Sequence, residues 1–254
     1  MDRNYNEVFE IAKNRRGKKI FGIIILMVLL LGGIGYIAYF VLNYWGQSKA
    51  DVYVSATTYY AVSLMQDTTK SNLDIMYSTA SMAGASGYVW QKDDIYYLLA
   101  LIYPEEDMAK SVVASNNIED FDLEIIRIDK PEVEYKLEEW TKEDKNKINE
   151  IENYLSDMAN ILYELTIAVH IDSISAIACA STINNHKGDM MAYSTSLATM
   201  LDSYINDDVY RLQTRLVTLI NIMDKMVNEL ITTNNIDNAM KYNFCEYIFE
   251  LCHN

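Results

Sequence analysis

Apolar residues recur every three or four positions through the C-terminal part of the chain, the spacing of a helix that buries one face. The first run follows Thr141, a suitable N-cap residue, and the second follows Asp207 and Asp208. The two runs predict long helices that cross at about 20°, as in bundles and coiled coils, with these positions as a helix-packing or interaction seam. The seam consists of Ile148, Ile151, Leu155, Met158, Leu162, Leu165 and Val169, and of Val209, Leu212, Leu216, Leu219, Met223, Met226 and Leu230.

Three further features complete this C-terminal pattern. Asp172 ends the first apolar register, and the polar run 184–188, which closes with Gly188, predicts a chain reversal. Residues 237–251 predict a last helix. We therefore assign residues 141–254 to a long-helix bundle.

The preceding part of the chain also favours helices. A helical stripe of apolar residues, Leu73 to Ala80, ends at Gly84, and Asp93 or Asp94 is placed to open a helix over Ile95–Tyr103. Neither glycine nor proline interrupts residues 50–65, which predicts that a preceding helix continues through them. Residues 46–117 are therefore predicted to form a helical region.

Residues 118–140 break the helical rhythm, because apolar and charged residues alternate there with a period of two. Alternation of this kind predicts strands, one over Phe121–Ile125 and one over Val133–Leu137, and Asp129-Lys130-Pro131 suits a turn between them. The pattern predicts a small β-hairpin. The alternative is a solvated, charged linker.

Few residues suit tight turns. After residue 50 the chain holds three glycines and two prolines, where ordinary usage would give about 24 in all. Sandwiches and barrels need many turns, and glycine supplies the positive φ that many of those turns require. The predicted fold class is mainly α.

The sequence predicts a membrane-spanning helix over residues 20–45, since no charged side chain occurs between Ile20 and Ser48. Five Lys and Arg residues lie in the basic segment 13–19, so residues 1–19 are predicted to be a cytoplasmic tail and the rest extracytoplasmic. This predicts a single-pass cell-membrane protein with the lipid bilayer as one partner. The alternative is a signal peptide cleaved before Asp51.

Charge limits the partners. The formal net charge of −15 disfavours nucleic acid, whose phosphates a binding protein must neutralise. We expect no nucleic-acid partner.

The search for chemistry finds no catalytic motif, cofactor fingerprint or metal-ligand spacing, so the sequence predicts none of these sites. Cys179 and His170 are a conceivable nucleophilic pair, although nothing local supports it. One aromatic and acidic cluster could bind a cationic or sugar-like ligand, or could equally consist of core residues and helix caps. It comprises Trp90, Asp93, Asp94, Tyr96 and Tyr97.

Three function classes follow from these observations. The long seams and the lack of a site favour a non-enzymatic interaction or structural component of an envelope assembly, partnered by other envelope or membrane proteins or by self-association. The second class is a ligand-binding or sensory helical bundle that signals through a membrane partner. The third is an envelope enzyme.

Overall fold

The computed structural model describes residues 51–115 and 121–253. Within these ranges the chain forms six strands and six helices. The strands are β1 (Val52–Val54), β2 (Thr57–Asp67), β3 (Tyr88–Lys92), β4 (Ile95–Tyr103), β5 (Glu124–Lys130) and β6 (Val133–Tyr135). The helices are α1 (Lys70–Met82), α2 (Glu106–Ser115), α3 (Lys142–His170), α4 (Ala176–Ser203), α5 (Asp207–Thr232) and α6 (Ile236–Cys252).

Four strands form an antiparallel sheet in the order β3-β4-β2-β5. The chain runs through this part as β2-α1-β3-β4-α2-β5, so β4 lies between β2 and β3, the two strands that α1 connects. This is the split βαβ, or ferredoxin-like, arrangement. Because crossovers of this type share one hand, both helices lie on the same face of the sheet, and the opposite face is left for another element.

The described residues are mainly helical, as predicted, but the central strands correct the prediction that residues 46–117 form a helical region. Ile95–Tyr103, predicted as a helix, is strand β4, and most of the segment 50–65 lies in β1 and β2. The central strands β2 and β4 have partners on both sides and protein against both faces, so their apolar residues run almost without a break. A short continuous apolar run does not distinguish a strand from a buried helix, and here the aromatic and β-branched content was the better guide.

The predicted hairpin at 118–140 is also wrong. Strand β6 lies within the predicted Val133–Leu137, but β5 is displaced from the predicted Phe121–Ile125 and includes Asp129 and Lys130, which the pattern predicts as part of the turn. β5 pairs with β2 and β6 pairs with β1, so they belong to different sheets. Pro131 follows directly after β5 and lacks the backbone N–H that continued pairing would need. The β part is therefore two antiparallel sheets and not one hairpin.

Helices α1 and α2 cover one face of the main sheet. Their contact with it forms a small hydrophobic cluster around Leu64, Leu73 and Leu98, all of which are almost fully buried. Gly84 ends this helical segment with φ of 80°, a value that favours glycine.

Helix α6 covers the opposite face and is in turn covered by α3 and α5. It is consequently buried on nearly every side, which explains why its sequence lacks one clear polar face. Its buried residues are Asn238, Met240, Lys241, Asn243, Phe244, Cys245, Tyr247, Ile248 and Leu251.

Helices α3, α4 and α5 have capped N-termini. Thr141 Oγ1 accepts from the Asp144 amide at 3.1 Å, which confirms the predicted cap. Asn206 caps α5, which begins at Asp207, and its Oδ1 accepts from the Val209 amide at 3.1 Å. All fourteen seam residues are buried, with exposures of 9% or less, and they pack in the same core as α6.

The predicted reversal at Gly188 is wrong, because α4 continues through it as one helix. A glycine inside a helix costs about 1 kcal/mol relative to alanine. Packing of buried Ile183, Met190 and Leu197 along α4 offsets that cost, and His186 and Lys187 in the polar run bond to neighbouring helices instead of forming a turn.

No helix in the described ranges combines the length and apolarity needed to span a bilayer. The predicted span at 20–45 and the basic tail at 1–19 lie outside the described residues. The prediction of a single-pass membrane protein is corrected accordingly, since no helix among residues 51–115 and 121–253 could span a membrane.

The buried seam generates a stability prediction. Leu219 has 0% exposure on α5, and Val217 on the same helix is 44% exposed. Leu219→Asp should lower the free energy of unfolding by several kcal/mol, because an unpaired carboxylate is then placed in the core. Val217→Asp, the matched control, should stay within about 0.5 kcal/mol of the wild type. Urea unfolding of the full-length protein, followed by circular dichroism, measures both. Equal losses in the two variants would contradict the assigned core.

Candidate functional site

The main sheet divides the predicted aromatic and acidic cluster. Trp90 and Tyr97 are cross-strand partners with ring centroids 5.8 Å apart on the face toward α6. Tyr96 packs in the cluster on the opposite face. Asp93 and Asp94 form the exposed turn between β3 and β4, where Asp93 has φ of 54°. The structure therefore brings the two rings together and leaves the aspartates apart from them.

Trp90 belongs instead to an aromatic set that joins β3 to α6. Its ring stacks on Phe249 with centroids 4.8 Å apart, and Tyr88 stacks on the same Phe249 at 5.3 Å. Tyr242, two turns earlier on α6, meets Tyr88 edge-on at 5.1 Å. Each such pair contributes about 0.5–1.5 kcal/mol beyond area burial, so this wall is held rigidly. All four rings stay partly exposed.

A first cavity of about 570 Å³ opens beside this aromatic wall. One side is formed by β3 and α6, and the other by α5. Its aromatic lining is Tyr88, Trp90 and Phe249, and its polar lining is Thr218, Asn221, Lys225, Glu246, Glu250 and His253. Cavities of 300–1,000 Å³ with an apolar surface and a few convergent polar groups are typical of ligand sites.

A second cavity of about 620 Å³ adjoins the first, and Lys225 lines both. It lies between α1, the start of β3 and the facing ends of α5 and α6, and its lining is mainly polar. Lys70, Asp74, Ser81, Glu229, Thr233, Asn235 and Asn238 supply the polar groups, and Tyr77 and Tyr242 supply rings. We call the two cavities together the β3 groove. From Thr218 to Glu229, its α5 wall is about 16 Å long at 1.5 Å per residue.

Lys225 crosses the middle of the β3 groove. Its Nζ donates to Glu246 Oε2 at 2.8 Å and lies 4.9 Å from the centroid of the Tyr242 ring. Burial by itself lowers the pKa of Lys225, but the hydrogen bond to Glu246 and the charge of that residue outweigh burial, so the pKa is raised. Lys225 is therefore a cation at neutral pH, with its position fixed from two sides.

Strand β3 is an edge of the sheet and, among the described strands, pairs with β4 alone. Antiparallel pairing leaves alternate backbone groups of an edge strand facing outward. One outward group at the start of the strand is already bonded, because Ser86 Oγ accepts from the Tyr88 amide at 3.1 Å. The groove is therefore bounded by an edge whose backbone is partly satisfied from within the chain.

A buried ion cluster lies beyond the α6 end of the groove and joins the sheets to the helices. Glu152 of α3 has 0% exposure and is bonded by Lys130 at 3.1 Å, by the Tyr135 hydroxyl and by Arg215 Nη2. Burial by itself raises the pKa of Glu152, but Arg215 and Lys130 outweigh it, so the pKa lies below the ordinary 4.5. The Glu152 carboxylate thus forms ion pairs with two buried cations, Lys130 and Arg215.

The conceivable pair of Cys179 and His170 is not assembled. Burial raises the pKa of the Cys179 thiol to about 11, which makes it a poor nucleophile at neutral pH. His170 Nδ1 instead contacts Lys241 Nζ at 3.0 Å and Asp237 Oδ2 at 3.2 Å. Lys241 also donates to the Gly84 carbonyl at 2.7 Å, so this polar group fastens α6 to the end of α1.

Of the groove residues, the sequence-predicted cluster contains Trp90 and misses the rest; Tyr97 packs against Trp90 but lines neither cavity. The alternation of Tyr88 and Trp90 was a signal for a strand with one aromatic face. The lack of a polar face on α6 was a signal that both sides of this helix are covered. No local pattern marks Asn221 or Lys225, because α5 reaches β3 only through tertiary packing.

The ion cluster generates a pH prediction. Glu152→Gln should cost about 3–5 kcal/mol at neutral pH, because Lys130 and Arg215 then lose their buried counter-charge. Because the folded-state pKa of Glu152 is depressed, its contribution is present above about pH 4.5 and is lost as pH falls through that lower folded-state pKa. The stability gap between wild type and variant should therefore narrow in acid.

Urea midpoints measured at intervals between pH 3 and pH 7 test this expectation. Glu164→Gln on the same helix makes the same chemical change at an exposed position and should follow the wild type at every pH. If the difference in urea midpoint between wild type and Glu152→Gln stays constant from pH 3 to pH 7, the Glu152 carboxylate does not cause the pH dependence of stability.

Comparisons with known proteins place the chain in no family. No family model matches it, and no curated protein matches it. Among solved structures, part of the chain aligns with the solution structure of the peptidoglycan binding domain of the B. subtilis cell wall lytic enzyme CwlC, at 26% identity. The alignment covers 29% of this chain and 94% of that chain with a TM-score of 0.26, which is too low to indicate a shared fold.

Proposed function

We propose that the described domain is a non-enzymatic binding module, and that the β3 groove holds an uncharged oligosaccharide. One observation carries the proposal. Partly exposed aromatic rings, side-chain amides, hydroxyls and fixed charges converge along a single groove that runs beside an edge strand.

The groove suits the chemistry of a sugar chain. A pyranose ring has apolar C–H faces that pack on aromatic side chains, here Tyr88, Trp90 and Tyr242, and hydroxyl edges that both donate and accept hydrogen bonds. Asn221 and Asn235 offer donors and acceptors, Lys225 offers donors, and the groove carboxylates offer acceptors. Because the chain has a formal net charge of −15, a neutral ligand is favoured over an anionic one.

An extended peptide is the other occupant that an edge strand admits, through added β-pairing. It fits less well here. The Tyr88 amide is already bonded to Ser86, and the groove wall presents side chains of α5 in place of a further strand. We therefore assign the groove to a saccharide and treat peptide binding as an outcome of the test.

The carboxylates of the first cavity favour binding over hydrolysis. Glycosidases place two carboxyl groups on either side of the scissile bond. Glu246 and Glu250 both lie on α6, one helical turn apart, and Glu246 is occupied by Lys225. They therefore lie along one wall and do not flank a bound chain.

The predicted seam does not serve as the interaction surface in this proposal. Its fourteen residues are buried within the chain, so they position the groove without forming a surface for a partner. An interaction role is retained, but it is moved to the β3 groove.

Titration of the full-length protein with N-acetylglucosamine and glucose tetrasaccharides, followed by calorimetry, tests the proposal. We expect one of them to bind, and Trp90→Leu and Asn221→Ala each to weaken its binding by roughly tenfold or more, which corresponds to about 1.4 kcal/mol. Asn160→Ala is the matched control, because Asn160 is exposed on α3 and lines neither cavity of the groove.

Thermal melts confirm that each variant is folded, and chromatography of the sugars after incubation reports any cleavage. Binding of an extended peptide but of neither sugar would replace the saccharide assignment. Release of shorter sugars that Glu246→Gln or Glu250→Gln abolishes would overturn the non-enzymatic assignment.

A further inference from the structure

The ion cluster around Glu152 carries one unit of positive charge in excess. Lys130 and Arg215 are 1% and 9% exposed, and Glu152 is the one carboxylate that forms an ion pair with either of them among the described residues. The remaining bonded group, the Tyr135 hydroxyl, is neutral, because burial raises its pKa above the ordinary value. A buried excess charge of this kind attracts an anionic group.

This cluster reaches a third cavity, which we call the Arg215 pocket. Its volume is about 500 Å³, and it lies between β6, α5 and the end of α6. Arg215 lines it and has an Nε that is buried without a hydrogen-bond partner in the described part of the chain. Arg211 lies one helical turn earlier on the same wall, is exposed, and forms no ion pair with any described residue.

Carboxylates also line the pocket. Strand β6 and the residue before it contribute Glu132 and Glu134, and Asp208 and Glu250 add carboxylates at the rim. Glu132 also accepts a hydrogen bond from the Tyr53 hydroxyl at 2.7 Å, which fixes its position. The pocket therefore presents both signs of charge, with guanidinium groups on α5 and carboxylates on β6, beside it and on the two helices.

We propose that the Arg215 pocket binds a zwitterionic ligand derived from amino acids, of the size of a dipeptide. Its carboxylate contacts the guanidinium groups of Arg211 and Arg215, whose planar forks match carboxylate geometry. Its ammonium group faces the carboxylates of β6. A simple anion is disfavoured by the acidic rim, and a simple cation by the buried excess charge.

This pocket is a separate site from the saccharide site, although Glu250 and His253 line both cavities where they adjoin. The zwitterion proposal does not depend on the saccharide proposal. The residues varied to test it, Arg211 and Glu134, line the Arg215 pocket and neither cavity of the β3 groove, so the two proposals fail independently.

Calorimetric titration of the full-length protein with four probes tests the pocket. The probes are L-alanyl-L-alanine, its N-acetylated form, its C-terminal amide and inorganic phosphate. The free dipeptide should bind, and blocking either end should weaken binding at least tenfold. Arg211→Gln and Glu134→Gln should each weaken it about fivefold or more, and neither should change the thermal melt, because both side chains are exposed.

Lys110→Gln is the matched control for charge, because it removes an exposed cation that lies on α2, away from the pocket. It should bind the dipeptide as the wild type does. The proposal is overturned if the free dipeptide does not bind at millimolar concentration, if either blocked form binds equally well, or if Arg211→Gln binds like the wild type. Tighter binding of phosphate than of the dipeptide would also overturn it, in favour of a plain anion site.

Discussion

The architecture depends on α6, a helix buried between a sheet and a helical layer. A split βαβ unit leaves one sheet face without cover, and α3, α4 and α5 need an apolar surface against which to close. Helix α6 covers that sheet face and also supplies the apolar surface on which the other helices close. Its residues Phe244, Cys245 and Ile248 are fully or almost fully buried. Its removal would expose the sheet face and the bundle core together, so the two layers share one hydrophobic core in place of two independent ones.

Polar contacts determine how these layers are oriented, since hydrophobic burial has no direction. At one end of α6, Lys241 is fastened to the Gly84 carbonyl and to Asp237. Near the other end, Glu152 joins Lys130 of the sheet to Arg215 of α5. Such clusters are costly to bury and more costly to break, so they favour a single arrangement of sheet and bundle over near alternatives.

The groove and the pocket result from this arrangement. Helix α5 packs on α6 but not closely on β3, which leaves space along the sheet edge. Aromatic rings of α6 line this space. The Arg215 pocket opens where α5 passes β6, next to the Glu152 cluster, in which buried charge is not balanced. Both sites therefore lie on rigid elements, as recognition of a defined ligand requires.

The sequence by itself determined α3 and α5, together with the Thr141 cap, because each long amphipathic run or cap is a local pattern that tertiary contacts only reinforce. Strands β2 and β4 were not determined, because burial on both faces removes the alternation that marks a strand. The predicted β5–β6 hairpin was wrong for a related reason. Each of these strands pairs with a strand more than 60 residues away in the sequence and not with its neighbour. Of the candidate site, Trp90 could be predicted locally, because Tyr88 and Trp90 alternate as on a strand with one aromatic face. Packing of α5 on α6 is what places Asn221 and Lys225 in the groove and Arg215 beside Glu152. Such long-range contacts depend on tertiary packing, so no periodic pattern in the sequence predicts them.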